Sequence, residues 1–597
     1  SKLNRMGDQT VAADVTQIEA PEVPTGFAIE LNGADFEQVI GKGGVVHHPL
    51  TDKVVQVSWK VSKDGTDEKA ITNDIAYEVE GTTTPAQGKN AKPTVVPEIQ
   101  EWFSNSTDKL GLDALTAVTY RDASLKSVVD EFVADYKDFT GKTLAASQGA
   151  AKAGAFNFTL GDPAGDKLLG EEGYAMQIQA DRIDVAAPAI TGNMYAMQTI
   201  LQMTKTETDG FPVGQMRDYP RFPVRGFMWD IARKPISLEM VGNAARTMRY
   251  YKMNDLQLHL SDNLIFLENY GNNEVDQWGA YSAFRLESGL SNNGVSPTAK
   301  DYSITKAAMR DFIKTQRSLG MNVVPEIDMP AHAVAFTRVW PELAVKNTKV
   351  TTSPAGKNRS AIDHLDVRKP EARKLIRDIF DDYTTGASPV FDTDTVVHVG
   401  ADEFIIPNGR PSYCEFYNDL VPHLLDSGHT PRIWGSFDSS WLAGGGTEPA
   451  SGEGVQMDIW SLGWANPKRM FDKGFSLINI LDNPNYMVPN GGGNRGAYGD
   501  YLDTKNVYNS LDPNKFGNTV LPSSDPRILG AGFAIWNDNI DTNACGLSEA
   551  DEYARFFDAL PVYAENNWAP TGQEKGKGNA GHENLYNIVK KTGDAPR

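Results

Sequence analysis

Cysteine is nearly absent: Cys414 and Cys545 are the only two in 597 residues. Two thiols exclude a disulfide framework and a four-thiolate metal site. The count fits a secreted bacterial protein as well as a cytosolic one. Positive charge is also short, with 57 Lys and Arg against 78 Asp and Glu and a net charge of −21. That argues against nucleic acid or an anionic membrane surface as the main partner, since both need a basic face. No apolar run reaches the roughly 18 residues of a membrane span, and none near Ser1 reads as a signal peptide. The nine histidines include one adjacent pair, His47-His48, and no His-x-His or His-Glu-x-x-His spacing. No metal and no cofactor is therefore expected.

Apolar residues are not short. They make up 40% of the chain, enough for a sizeable core. At about 150 residues per domain the length suggests roughly four domains, or fewer if one is a large α/β barrel. Residues 1–107 are rich in Val, Thr, Gly and Pro and read as a β-rich module with a loose lead-in, with Gly81–Asn90 as a loop or linker. Residues 108–215 read as an α+β module, with helices over Ser124–Thr140 and Met194–Met203 and strands over Tyr174–Ile178 and Arg182–Val185. Residues 571–597 are polar and are expected to trail over the surface.

The stretch 216–570 holds nine of the eleven tryptophans and eight strand-like runs, most of them continuously apolar. The runs are Arg225–Ile231, Asp255–Leu260, Asn322–Ile327, Thr395–Val399, Pro431–Phe437, Val455–Trp460, Ser476–Leu481 and Leu529–Trp536. Continuous apolar character suits strands buried on both faces. Helical patterns over Leu238–Tyr251, Ile304–Leu319 and Lys369–Tyr383 separate several of them. Strands alternating with helices predict an α/β fold, a (β/α)8 barrel. The span exceeds the roughly 250 residues of a bare barrel, so Asn263–Tyr302 and Asp482–Asp525 are read as long loops.

In such a barrel chemistry sits at the C-terminal ends of the strands. The sharpest candidate is Thr395-Val-Val-His-Val-Gly-Ala-Asp-Glu403, an apolar strand running into two adjacent carboxylates. Of four Asp-Glu pairs in the chain, the other three lie in polar or helical contexts that suit a solvated face.

Together with other motifs this strand resembles the family 20 glycoside hydrolases, the β-N-acetylhexosaminidases. His398-Val-Gly-Ala-Asp-Glu403 is similar to their His-x-Gly-(Gly/Ala)-Asp-Glu. Arg225-Gly-Phe-Met-Trp-Asp-Ile-Ala-Arg233 and Pro325-Glu-Ile-Asp-Met-Pro-Ala-His332 resemble two more motifs, with Ala331 for the usual Gly. Lys252–Asp262 fits the second strand, and Gly173-Tyr and Tyr195-Ala-Met-Gln-Thr look like the non-catalytic domain that precedes the barrel.

The resemblance implies an enzyme that uses the substrate's own 2-acetamido group as nucleophile, through an oxazolinium intermediate. It implies Glu403 as general acid and then base, Asp402 as the partner of the acetamido N–H, and Tyr486 as donor to its carbonyl, with Tyr498 and Tyr501 competing on the same loop. An ionised Asp402 next door is expected to raise the pKa of Glu403. Arg225 resembles the residue holding O3 and O4 of the sugar. Trp434, Trp460 and Trp536 look like pocket walls, and Asp538 stands near the acid that grips the far hydroxyls. His332 and Asp262 resemble a relay behind the acid, and Asp328 a support for Asp402. Two of these have a plainer reading: Arg225 as a structural ion pair and His332 as a satisfied core histidine. His259 and His398 are read as supporting groups, and Trp229 and Trp340 as core.

Two departures bear on substrate. Val488 stands where many members have Asp, and Trp536-Asn-Asp538 replaces Trp-x-Glu. Both positions normally read O4 and O6, so an exo-enzyme releasing terminal GlcNAc, with GalNAc and 6-substituted GlcNAc as alternatives, competes with a lacto-N-biosidase releasing a disaccharide. The implied partners are GlcNAc-terminated glycans. The motifs look most like bacterial cell-surface members, so an extracellular or cell-surface home is expected.

Overall fold

The computed structural model describes residues 3–84, 89–271, 273–352, 357–439, 451–490, 498–538, 540, 546–569 and 578–596. Cys545, the Gly491–Gly496 run and part of the Gly81–Asn90 loop lie outside them.

The first unit is a five-stranded sheet built from Gln9–Val11, Phe27–Ala34, Lys53–Lys63, Lys69–Ile71 and Ile75–Val79. Its alternating strands turn Val55, Val57, Trp59 and Tyr77 inward onto Phe36 and Val39, and Tyr219 of the next unit joins this core. The second unit is a seven-stranded mixed sheet with the helices Lys126–Thr140 and Ile190–Thr206 packed on it. Its edge strand Glu101–Phe103 pairs with Gly214–Asp218. The boundary therefore falls before residue 108, and a strand too short to show periodicity had hidden it.

The third unit is the barrel. Its strands are β1 (Val224–Asp230), β2 (Asp255–His259), β3 (Asn322–Met329), β4 (Val396–Gly400), β5 (Thr430–Trp434), β6 (Gln456–Ile459), β7 (Ser476–Asn479) and β8 (Ile528–Ile535). All pair in parallel in that order, and β1 closes onto β8 from Val224↔Gly530 to Trp229↔Ile535. The closure needs glycine: a Cβ on Gly530, whose φ is +146°, would lie 1.9 Å from the Val224 carbonyl oxygen. Every strand run read from the sequence is present. The helices Leu238–Tyr250, Lys306–Ser318 and Pro370–Thr384 begin and end within two residues of expectation. Ser237 and Thr305 cap the first two by accepting from Met240 and Ala308 N–H.

Two corrections follow. Residues 579–592 do not trail over the surface: Asn579–Thr592 is a helix that buries Leu585, Ile588 and Val589. Helical spacing places these three on one face, against the helices Ile190–Thr206, Thr504–Ser510 and Glu549–Trp568. A third long excursion, between β3 and the helix Pro370–Thr384, carries its own hairpin of Lys349–Thr352 and Lys357–Ser360. Among the described residues no helix is long and apolar enough to cross a membrane.

Candidate active site

Beyond β4 the backbone turns sharply. Gly400, Ala401 and Glu403 have φ of +71°, +80° and +45°. The left-handed region costs a non-glycine residue about 1 kcal/mol or more, so the turn persists only because its surroundings hold it. Gly400 is required twice over. Beyond its φ, a Cβ there would lie 1.8 Å from Oδ1 of Asp328, the atom that accepts from the Ala401 N–H at 3.2 Å.

This turn brings Asp402 and Glu403 to the barrel mouth, beside His332 at the end of β3. His332 is itself left-handed, at φ +54°. Its Nε2 lies 3.3 Å from Glu403 and 3.7 Å from Asp402, and its Nδ1 lies 3.0 Å from Asp262. Asp262 also meets His259 at 2.6 Å and Arg233 at 2.8 Å. His259 in turn lies 3.0 Å from Glu326, which accepts from the Trp434 indole at 2.6 Å. The expected pair of His332 and Asp262 is thus part of a longer buried chain that ends at the Trp434 indole.

Charge follows from this wiring. Burial alone would raise Asp262, but the Arg233 and His332 charges outweigh it and hold its carboxyl well below the usual carboxylate range. Burial would lower His332, yet the Asp262 and Asp402 charges push it well above an ordinary histidine. Burial and the neighbouring Asp402 charge drive Asp328 well up. Burial also raises Asp402, against His332. Glu403 corrects the sequence expectation. Burial would raise it, but the hydrogen bond and charge of His332, joined by the charges of Arg359 and Arg233, leave its pKa lowered. The close imidazolium decides the sign.

Trp434, Trp460, Trp536 and Tyr486 gather into one aromatic cluster with Met228, Ile480 and Val488. Trp434 and Trp536 ring centres are 5.8 Å apart, as are those of Tyr486 and Trp536. The indole nitrogens of Trp460 and Trp536 and one oxygen of Asp402 are buried without a protein partner. Such groups are costly unless something meets them. Tyr486 is carried in by the short strand Tyr486–Met487, which pairs with β8 at Ala534. Burial, with Asp402 nearby, raises its pKa far above that of a free phenol, so it remains an O–H donor. Tyr498 competes less well, because its hydroxyl already donates to Asp482 at 2.9 Å. Tyr501 is 46% exposed.

Arg225 is a second correction. It is the second residue of β1, at the end of the barrel opposite the site. There it donates to the Lys252 and Phe222 carbonyls and Tyr195, and pairs with Glu172 of the second unit. It is fully buried and is the structural ion pair of the plainer reading. The arginine that reaches the site is Arg233, just beyond the other end of β1. It pairs with Asp230 at 2.9 Å, Asp262 at 2.8 Å and Asp538 at 3.2 Å, 5.7 Å from the Trp536 ring centre. The same nine-residue motif contains both arginines; only strand direction tells them apart.

The sequence places Glu326 among the polar residues at the end of β3 without giving it a role, and it offers no signal for the trio Arg359, Asp363 and His364. Two groups, His259 with Glu326 and Asp328, and Asp262 with Asp328 and His332, are close enough to hold a cation. Glu326 and Asp262 already face imidazole or guanidinium groups, so the positive charge is supplied from within.

The comparisons fit this geometry. The model of "Glycosyl hydrolase family 20, catalytic domain" matches residues 222–571, and that of the family's domain 2 matches residues 92–219. "Beta-hexosaminidase 1" of Coccidioides posadasii is 25% identical over 429 residues, 62% of this chain and 67% of its own length. "Lacto-N-biosidase" of Bifidobacterium bifidum is 20% identical over 513 residues, covering 82% of this chain and 41% of its own. The structure of a family 20 β-N-acetylhexosaminidase from Streptomyces coelicolor superposes with a TM-score of 0.61 at 20% identity, over 84% of this chain and 97% of that one, a likeness of fold. With barrel, preceding domain and acidic pair all in place, the chain belongs to glycosyl hydrolase family 20 and is a glycoside hydrolase.

Proposed function

We propose that this enzyme is a retaining, exo-acting β-N-acetylhexosaminidase that removes terminal GlcNAc from glycans, with GalNAc and 6-substituted GlcNAc as further candidate substrates. The observation that carries this reading is the pairing of Asp402 and Glu403 on one strained turn, with Glu403 against His332 and Asp402 facing the aromatic pocket of Tyr486. The acetamido carbonyl oxygen attacks C1 and the glycosidic oxygen leaves with a proton from Glu403. The C1–O bond breaks as the ring of the oxazolinium closes. Asp402 accepts from the acetamido N–H and offsets the positive charge that develops there. Tyr486 donates to the carbonyl oxygen, and the indoles enclose the methyl group. Water then attacks C1 with Glu403 as base, restoring the acetamide. Because the reacting groups are parts of one molecule, the first step gains from effective concentration.

The lowered pKa of Glu403 fits this scheme if its proton resides on His332 before reaction. Substrate that displaces water from Glu403 disfavours its charge and draws the proton across the 3.3 Å to Oε2. Arg233, with Asp538, is the group suited to the sugar hydroxyls, in place of Arg225.

A second reading keeps the mechanism but releases a disaccharide. Val488 offers no acid, and Asp538 is a short one committed to Arg233 at 3.2 Å. The far side of the sugar is therefore less tightly gripped, and one relative is named lacto-N-biosidase. Rates on aryl β-GlcNAc and aryl lacto-N-biose glycosides separate the two: preference for the second defeats the first. GlcNAc-bearing glycans outside the cell or at a bacterial surface are the natural substrates on either reading.

A further inference from the structure

The acid turn is held by a loop that lies outside every expected motif. Asp363, His364 and Leu365 lie in the excursion after β3. The Leu365 N–H donates to the Pro330 carbonyl at 2.8 Å, and the Ala333 N–H donates to the Asp363 carbonyl at 2.8 Å. These two bonds bracket left-handed His332. On its other side the loop reaches the second strained turn. Nε2 of His364 lies 3.2 Å from the Glu403 carbonyl oxygen and 3.3 Å from the Ile405 nitrogen. Three residues thus brace both turns whose side chains must meet across 3.3 Å.

The ring itself is fixed from behind. Its Nδ1 lies 2.8 Å from Oδ1 of Asp363, which also accepts from Arg359 at 2.6 Å. His364 is fully buried, and Arg359 and Asp363 nearly so. With Nδ1–H committed to the carboxylate, a neutral ring accepts from the Ile405 N–H, and a protonated ring donates to the Glu403 carbonyl. Either bond stays within the same turn, so the side chain has a hold on it in both states. Phe404 packs beside the ring, with centres 5.6 Å apart.

We propose that His364 is a positioning residue for the acid–base Glu403: it clasps the backbone of the acid turn to the loop that holds His332, and thereby sets the distance across which the proton moves. The proposal rests on the reading of Glu403 as general acid. Small errors in such placement lose large factors in rate, and the loss falls on substrates that need the acid.

The test compares aryl β-GlcNAc glycosides of good and poor leaving groups, 2,4-dinitrophenyl against phenyl. The enzymes are the native one, His364→Phe, His364→Gln and Glu403→Gln, with melting temperatures recorded. His364→Phe should lower kcat for the phenyl glycoside at least about tenfold, with much less loss on the dinitrophenyl one and KM within about threefold. His364→Gln, whose amide can donate or accept at the same place, should recover most of that loss. If His364→Phe unfolds, Asp363→Asn, which removes the charge behind the ring, takes its place and should give the same leaving-group dependence in weaker form. Equal losses on both substrates, or none in a folded variant, overturn the proposal. If Glu403→Gln itself shows no leaving-group dependence, the reading of Glu403 has failed and the proposal falls with it. A dependence in Glu403→Gln alone faults only the clasp.

Discussion

Nε2 of His332 lies 3.3 Å from Oε2 of Glu403, close enough for one proton to serve both groups. The charge of His332 wins over burial and leaves the Glu403 pKa lowered. General acid assistance is worth about a hundredfold to ten-thousandfold. Glu403→Gln should therefore lose about that much in kcat/KM on an aryl glycoside with a poor leaving group, while its melting temperature stays close to native. Retained activity on that substrate contradicts the role.

Tyr486 and Tyr498 sit on the same loop with ring centres 5.7 Å apart, but only Tyr498 has its hydroxyl engaged, with Asp482. A donor aimed at charge that develops in the transition state is worth about a hundredfold or more. Tyr486→Phe should lose about that factor in kcat. Tyr498→Phe should stay within about threefold of native, and steady-state kinetics on one aryl glycoside ranks them.

The two arginines of the first motif should separate by assay. Arg233→Lys keeps the charge but not the fork that spans Asp230, Asp262 and Asp538, and should raise KM and lower kcat with modest loss of stability. Arg225→Ala strands Glu172 beside a buried gap. Breaking a buried pair costs about 3 kcal/mol, read as a lower melting temperature with little change in KM of the remaining folded enzyme. A raised KM in Arg225→Ala with native stability contradicts the placement.

Asp538 supplies a pH signature. Burial, only partly countered by Arg233, pushes its pKa up to about 6. Its folded value lies above the unfolded one, so the fold favours the protonated form. This group adds stability as pH falls from about 6 toward the ordinary carboxylate value and withholds it above. The carboxylate that pairs with Arg233 is lost over the same range. An acidic limb in kcat/KM near pH 6 should therefore be present in the native enzyme and absent in Asp538→Asn. An unchanged limb assigns it to another group.

The barrel was legible because strands buried on both faces leave apolar runs that no solvated segment imitates, as in Ile528-Leu-Gly-Ala-Gly-Phe-Ala-Ile535. Asp402 and Glu403 were legible because two acids ending such a run have no packing reason to be there. Arg225 was misplaced because a motif fixes spacing, whereas function depends on which end of β1 a residue occupies. The helix Asn579–Thr592 was missed because its apolar face is only a few residues wide among Gly, Asn, His and Lys. His364 gave no signal: its contact with Glu403 spans 39 residues and is made to the backbone, which leaves no pattern in side-chain types. The sign of the Glu403 shift required a distance that no sequence contains.

Hydrolysis of an aryl β-GlcNAc glycoside, with and without a thiazoline mimic of the oxazolinium intermediate, tests the central claim most directly. Turnover that the thiazoline blocks competitively is the predicted result. Turnover of that glycoside at full rate in the presence of saturating thiazoline would contradict substrate-assisted catalysis by Asp402, Glu403 and Tyr486.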